Sequence, residues 1–157
     1  MWVDLGKLVL SISLSEGTNK MDYEMVSKEF YHALKNQQLI GGKCQDCGHY
    51  CIPQRQICPK CHSLNMNVIA YSGKGILTAY TVVFVPPVEM AQAGYDAKNP
   101  YCSGVVELVE GPRISAQILD VDLMHPENIK IGTPVTMTTI ERGDEDHRSA
   151  FLAFKPN

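Results

Sequence analysis

The sequence contains no run approaching the roughly 20 consecutive apolar residues that a membrane-crossing helix needs, so a helical integral membrane protein is excluded. It has no excess of positive charge: 14 Lys+Arg stand against 17 Asp+Glu, a net charge of −3 with histidine neutral. A protein built to grip nucleic-acid phosphates usually shows the opposite balance. A GxSxG elbow, a Walker loop, a dinucleotide fingerprint and an HExxH helix are all absent. Apolar side chains, by contrast, make up 45% of the 157 residues, which excludes wholesale disorder and suits one ordinary domain or two small ones. Cysteine is the unusual residue: there are six, four of them in two CxxC pairs.

The first twenty residues hold a short apolar stretch at 8–14. Ser11 and Ser13 interrupt it, Asp4 precedes it, and no small-residue cleavage site follows, so it does not read as a secretory signal. Leu8, Leu10, Ile12 and Leu14 alternate with other residues, which fits a strand or an unstructured leader over 1–20, with Met21 an equally good start. A cytoplasmic protein with reduced thiols is the expectation.

Three segments follow. Over residues 23–38, Val26, Phe30, Ala33 and Leu34 fall at helical spacing on one face, with Lys28, Glu29, Lys35 and Asn36 on the other. Gly41-Gly42 is expected to end this helical segment, taken as 21–42, and its single stripe must dock on its own chain or on a partner. Residues 43–66 are rich in Cys, Pro, Gly and Gln and poor in aliphatics, too little apolar material to make a core. From 67 to 157 the pattern is β: short Val, Ile, Thr, Tyr and Phe runs at 68–71, 76–85, 103–109, 113–119, 134–140 and 149–154, with turns at Gly73-Lys74-Gly75 and Glu110-Gly111-Pro112. Strands so short and close, without helices between most of them, predict a small antiparallel barrel or sandwich, and their number fits a barrel of the OB type. The stretch 89–99 reads as a long polar loop.

Cys44, Cys47, Cys58 and Cys61 form a CxxC–x10–CxxC constellation. Each CxxC turn delivers two thiolates from one tight knuckle, and Gly48 supplies an open backbone just after the first. Metal binding worth ~10–16 kcal/mol can fold a segment that has no core. A structural metal site is therefore expected, zinc by default, although iron accepts the same four thiolates and disulfides or a redox CxxC are the alternatives. Four cysteines close the coordination sphere, which argues against a catalytic metal. Cys51 is surplus to a tetrahedral site, and neither His49 nor His62 is needed as a ligand.

Elsewhere the chemistry is sparse. Cys102 opens a β run, and His32, His125 and His147 form no local motif with it, so a small apolar role outweighs a nucleophile. Glu107 and Glu110 beside a turn, and the acidic triplet at 144–146, read as solvated surface. The architecture itself raises nucleic-acid binding as an alternative, with Tyr80, Phe84 and Tyr101 as stacking candidates. Charge argues against it. From Lys74 onward there are seven basic and eleven acidic residues, whereas between Lys43 and Gly73 three basic residues face one acid. A mildly basic ribbon beside an acidic barrel suits a compact anionic ligand, such as a nucleotide-like cofactor, better than a strand of nucleic acid.

These motifs carry a resemblance. Phe30-Tyr31-x-x-Leu34, then Leu39-Ile40-Gly41-x-Lys43-Cys44-x-x-Cys47-Gly48 and Pro53-x-Arg55-x-x-Cys58-Pro59-x-Cys61, resemble the opening of the zinc-ribbon/OB-fold acyl-CoA-associated family. Gly73-x-Gly75, Thr78-x-Tyr80-Thr81-Val82-Val83, Pro100-Tyr101, Gly111-x-Arg113-Ile114, Ile131-Gly132-x-Pro134-Val135 and Phe154-x-Pro156 continue the likeness through the barrel. Gln54, where many relatives have a second Pro, and Cys51 depart from the commoner pattern without touching a ligand position. The resemblance implies an α+β chain with an N-terminal helix, a rubredoxin-like four-cysteine zinc ribbon and a C-terminal OB-fold antiparallel β-barrel. It implies a non-catalytic cytoplasmic scaffold that partners a thiolase or a 3-hydroxy-3-methylglutaryl-CoA synthase-type enzyme and contributes to a CoA or acyl-CoA site. Carried onto this chain, the zinc ligands are Cys44, Cys47, Cys58 and Cys61. Lys43, Arg55 and Lys60 are candidates for the CoA phosphates by charge and position. Nucleic acid and membrane are not expected partners.

Overall fold

Helix α1 spans Tyr23–Lys35 in the computed structural model, which describes residues 23–143 and 148–157. The leader at 1–20, the alternative start at Met21, the acidic triplet at 144–146 and His147 lie outside the described residues, as does the side chain of Val26. Ala33 and Leu34 are buried and Phe30 packs beside them, so the expected stripe docks on the chain's own body. The helix ends by a Schellman motif: Gln38 N–H donates to the Ala33 carbonyl and Gln37 N–H to that of Leu34, with Gln37 at φ 57°. Gln37 thus fills a position usually given to glycine.

Gly41-Gly42, expected to stop the helix, lies instead inside strand β1 (Leu39–Cys44). The reason is crowding. A Cβ on Gly41 would sit 2.2 Å from a Tyr71 ring carbon, and one on Gly42 2.9 Å from the Cys51 sulfur. β1 is the middle of a three-stranded antiparallel sheet, flanked by β2 (Tyr50–Cys51) and β3 (Met66–Tyr71). This sheet brackets the cysteine-rich segment and carries Tyr71, whose hydroxyl donates to the Cys51 carbonyl at 3.0 Å.

Five further strands close a barrel in the order β4-β5-β6-β8-β7: β4 (Lys74–Val83), β5 (Tyr101–Leu108), β6 (Arg113–Ile118), β7 (Pro134–Arg142) and β8 (Ser149–Pro156). All pairs are antiparallel except β6 with β8, the arrangement of an OB-type barrel. Alternation sets the register. In β5, Cys102, Gly104, Val106 and Leu108 point inward, and Tyr101, Ser103, Val105 and Glu107 do not. With Leu77, Ile118, Val135 and Phe154 they form a closed apolar core, in which full burial of a side chain such as Phe154 contributes about 2–3 kcal/mol. Gly104 is required there, because a Cβ would lie 2.6 Å from Ile118 and 2.8 Å from Leu77.

The tight turn at 110–112 is closed by Gly111 N–H on the Leu108 carbonyl. The polar stretch at 89–99 differs from expectation in part. A one-turn helix, α2 (Val88–Gln92), opens it, with none of its residues buried, and Asp96 then accepts the N–H groups of Lys98 and Asn99.

Candidate metal centre

Between β1 and β3 the chain makes two knuckles of the same design. Cys44 N–H donates to the His49 carbonyl and Gly48 N–H returns to the Cys44 carbonyl; Cys58 N–H donates to that of Ser63 and His62 N–H returns to that of Cys58. The residue after each second cysteine has positive φ, 71° at Gly48 and 60° at His62. Each knuckle turns its two sulfurs inward, and the four sulfurs of Cys44, Cys47, Cys58 and Cys61 lie within 4.8 Å of one another. The Cys44–Cys61 and Cys47–Cys58 separations are both 3.6 Å, close to the ~3.8 Å edge of a tetrahedron with 2.3 Å metal–sulfur bonds. The donor set therefore fits a four-thiolate metal ion, with no position left open for substrate or water.

Sequence reasoning missed what joins the knuckles. Asp46, in the first, accepts hydrogen bonds from the Ser63 hydroxyl and from the Asn65 amide at 2.9 Å, both after the second pair. Those bonds, the Ser63 one foremost, hold the Asp46 carboxyl below its ordinary value. Its only signal in the sequence is an acid inside a CxxC.

Taken as thiols, Cys58 and Cys61 ionise unequally. Burial opposes ionisation of Cys58, but the Cys61 and Lys60 backbone N–H groups and the Cys47 and Cys61 thiols hold it down to about 6. The Ser63 N–H favours ionised Cys61, yet the Cys47 thiol, desolvation and the remaining sulfurs outweigh it and push Cys61 up to about 12. A cation held by the four sulfurs would displace their protons.

Cys51 is buried outside the four-sulfur cluster, and desolvation raises its thiol against N–H groups from Arg55 and Gly42. Cys102 is fully buried in the barrel, and desolvation pushes it up to about 11, the setting of an inert core thiol. Of the candidate stacking residues, Tyr80 packs on the core and donates its hydroxyl to the Pro126 carbonyl at 2.7 Å, Tyr101 stacks edge-on with Tyr95, and Phe84 is partly exposed. Glu107 pairs with Arg113 at 2.6 Å.

The candidate phosphate-binding residues are not all gathered. Lys60 lines a cleft of about 350 Å3 between the first knuckle and the β5–β6 turn, with His49, Tyr50, Glu110 and Pro112. Lys43 extends along the same side, its Nζ 5.1 Å from the centre of the Tyr50 ring. The Arg55 backbone lies across β1 from Lys43, on the side that Gly42 faces. Glu110 brings a carboxylate into the cleft, one oxygen accepting the Ser72 N–H at 2.7 Å and the other buried without a partner.

The fold and the cysteine cluster define a class: a rubredoxin-like zinc ribbon joined to an OB-type barrel. Family models agree, with the ChsH2 rubredoxin-like zinc ribbon domain matching residues 32–67 and the ChsH2 C-terminal OB-fold domain matching 68–139. A DUF35 domain-containing scaffold protein of Pyrococcus furiosus is 42% identical over 123 residues, covering 77% of this chain and 84% of that protein. The chain belongs to this DUF35 family of ChsH2-type zinc-ribbon/OB-fold proteins. It is also 34% identical over 80 residues to the benzoylsuccinyl-CoA thiolase subunit BbsA of Thauera aromatica, covering 51% of each. Among solved structures, the Ltp2-ChsH2(DUF35) aldolase superposes with a TM-score of 0.66 at 26% identity, covering 83% of this chain and 93% of that one. Among the described residues, no helix is long and apolar enough to cross a membrane.

Proposed function

We propose that this protein is a non-catalytic accessory subunit of acyl-CoA metabolism in the cytoplasm, a scaffold for a thiolase or a 3-hydroxy-3-methylglutaryl-CoA synthase-type enzyme. The observation that carries this reading is the ribbon-then-barrel architecture, shared along most of its length with a protein named a scaffold. A thiolase subunit and an aldolase assembly named among its relatives support an enzyme partner that handles acyl-CoA. In this reading Cys44, Cys47, Cys58 and Cys61 hold a structural Zn²⁺, which offsets two of their four negative charges and locks the two knuckles together. Lys43 and Lys60, on one side of the ribbon, would meet CoA phosphates, with Arg55 adding positive charge from the other side of β1. The acidic barrel makes nucleic acid the weaker reading.

Affinity capture of the tagged protein from its own cell lysate, after nuclease treatment, tests this reading. Stoichiometric recovery of a thiolase-type enzyme is the expected result. Recovery only of nucleic-acid-processing proteins, lost on nuclease treatment, would overturn it.

A further inference from the structure

Strands β6 and β8 run parallel and are joined by only two residue pairs, Gln117↔Ala153 and Ile118↔Phe154. Ahead of those pairs the strands part, and a groove of about 330 Å3 opens along the seam beside α1. Its apolar lining includes Phe30, Leu34, Met90, Ile114, Ala116 and Leu152. That volume is at the lower end of small-molecule sites, most of which are apolar pockets with a few placed polar groups.

The placed polar group is Arg142, which lines the same groove at the end of β7. One of its N–H groups donates to the Gln117 side-chain carbonyl, and its guanidinium lies 5.6 Å from the Tyr95 ring centre and 5.0 Å from that of Phe151. Gln117 is fixed in turn, its amide donating to the Tyr95 hydroxyl at 2.9 Å. Neutral groups thus orient the cation, and among the described residues no carboxylate forms an ion pair with it. A partly buried guanidinium whose other donors pair with no carboxylate among the described residues, in an apolar setting, favours a planar two-oxygen anion.

We propose that the seam groove binds an apolar chain ended by a carboxylate, with Arg142 receiving the carboxylate and the β6–β8 gap the chain. Two sources share this chemistry: a free aliphatic acid, or an acyl thioester whose far end is a carboxylate. The groove shares no lining residue with the cleft at Lys60, so the inference stands or falls apart from the CoA reading.

Isothermal titration calorimetry of the full chain with decanoate and with decanol tests it. Decanoate is expected to bind one to one and at least tenfold more tightly than decanol, since only the carboxylate gains a charge-assisted pair. Arg142→Met is expected to weaken decanoate about tenfold and leave decanol unchanged, and Arg142→Lys to recover part of the loss. Equal binding of the two probes, binding of neither, or full decanoate affinity in Arg142→Met overturns the proposal. Should Arg142→Met fail to fold, Ser115→Phe, which fills the groove from an exposed strand position, is expected to block both probes. Undiminished decanoate binding by folded Ser115→Phe also overturns the proposal. Competition between decanoate and the CoA monothioester of decanedioic acid then separates the sources: displacement assigns the groove to a carboxylate-ended acyl thioester, and no displacement to a free acid.

Discussion

Ribbon and barrel are β-structures held together by different physics. The barrel is closed by five strands around Leu77, Val106, Ile118, Val135 and Phe154, all almost wholly excluded from water. Around the ribbon's knuckles, the fully buried side chains include the ligand-type residues Cys44 and Cys58, while Ile57 and Leu64 stand largely exposed. One module is organised by apolar area, the other by four sulfurs and a few hydrogen bonds. Removing a methylene should hurt the first, and removing a metal ligand the second.

The largest effect expected from that contrast is on the ribbon. Cys58→Ser removes one of four ligands and should forfeit much of the ~10–16 kcal/mol that a structural zinc supplies. Metal analysis should find the ion lost, with the barrel still giving a cooperative melting transition; full metal content and unchanged melting would contradict the assignment. Phe154→Ala makes the complementary cut. It should cost the barrel about 3–5 kcal/mol in denaturant unfolding while leaving metal content intact. Gly104→Ala should cost about 1–3 kcal/mol by the same measurement, because the new methyl meets Ile118 and Leu77.

Cys102 offers a test by pH. Its folded value, about 11, lies above its ordinary 9, so its neutral burial contributes stability fully present below pH 9 and lost as the pH rises through 11. Cys102→Ala should flatten that part of the alkaline unfolding profile, and the native thiol should resist alkylation at pH 8. Rapid modification with the fold intact would mark a reactive thiol instead. The smallest structural effect is expected at Lys60→Ala: stability within about 0.5 kcal/mol of the parent, with CoA binding weakened in calorimetry. Unchanged CoA affinity would remove Lys60 from the phosphate site.

How well each module could be read from sequence follows from the same contrast. The four-cysteine cluster was legible because CxxC spacing is local chemistry, and the barrel strands because alternation and β-branched runs are local patterns. Strands β1 and β2 were not legible. Gly41-Gly42 looks like a helix stop, and only the distant Tyr71 ring and Cys51 sulfur make glycine necessary in a strand there. The Asp46 clasp depends on two knuckles folding toward each other, which no spacing encodes. Of the candidate cations, Lys43 and Lys60 lie toward Tyr50, whereas the Arg55 backbone lies beside Gly42, which pleat turns to the opposite face of β1 from Lys43. Arg142 and the seam groove were invisible in sequence, since they arise where two strands far apart in the chain stop pairing.

The most direct test of this division is hydrogen–deuterium exchange read by mass spectrometry on the zinc-loaded full chain, before and after removal of the metal by a chelator. Protection should collapse across β1–β3 and the two knuckles, residues 39–71, and persist in barrel strands β4–β8. Equal loss in both regions, or loss in neither, would contradict the claim that a metal-held ribbon is joined to a self-sufficient barrel.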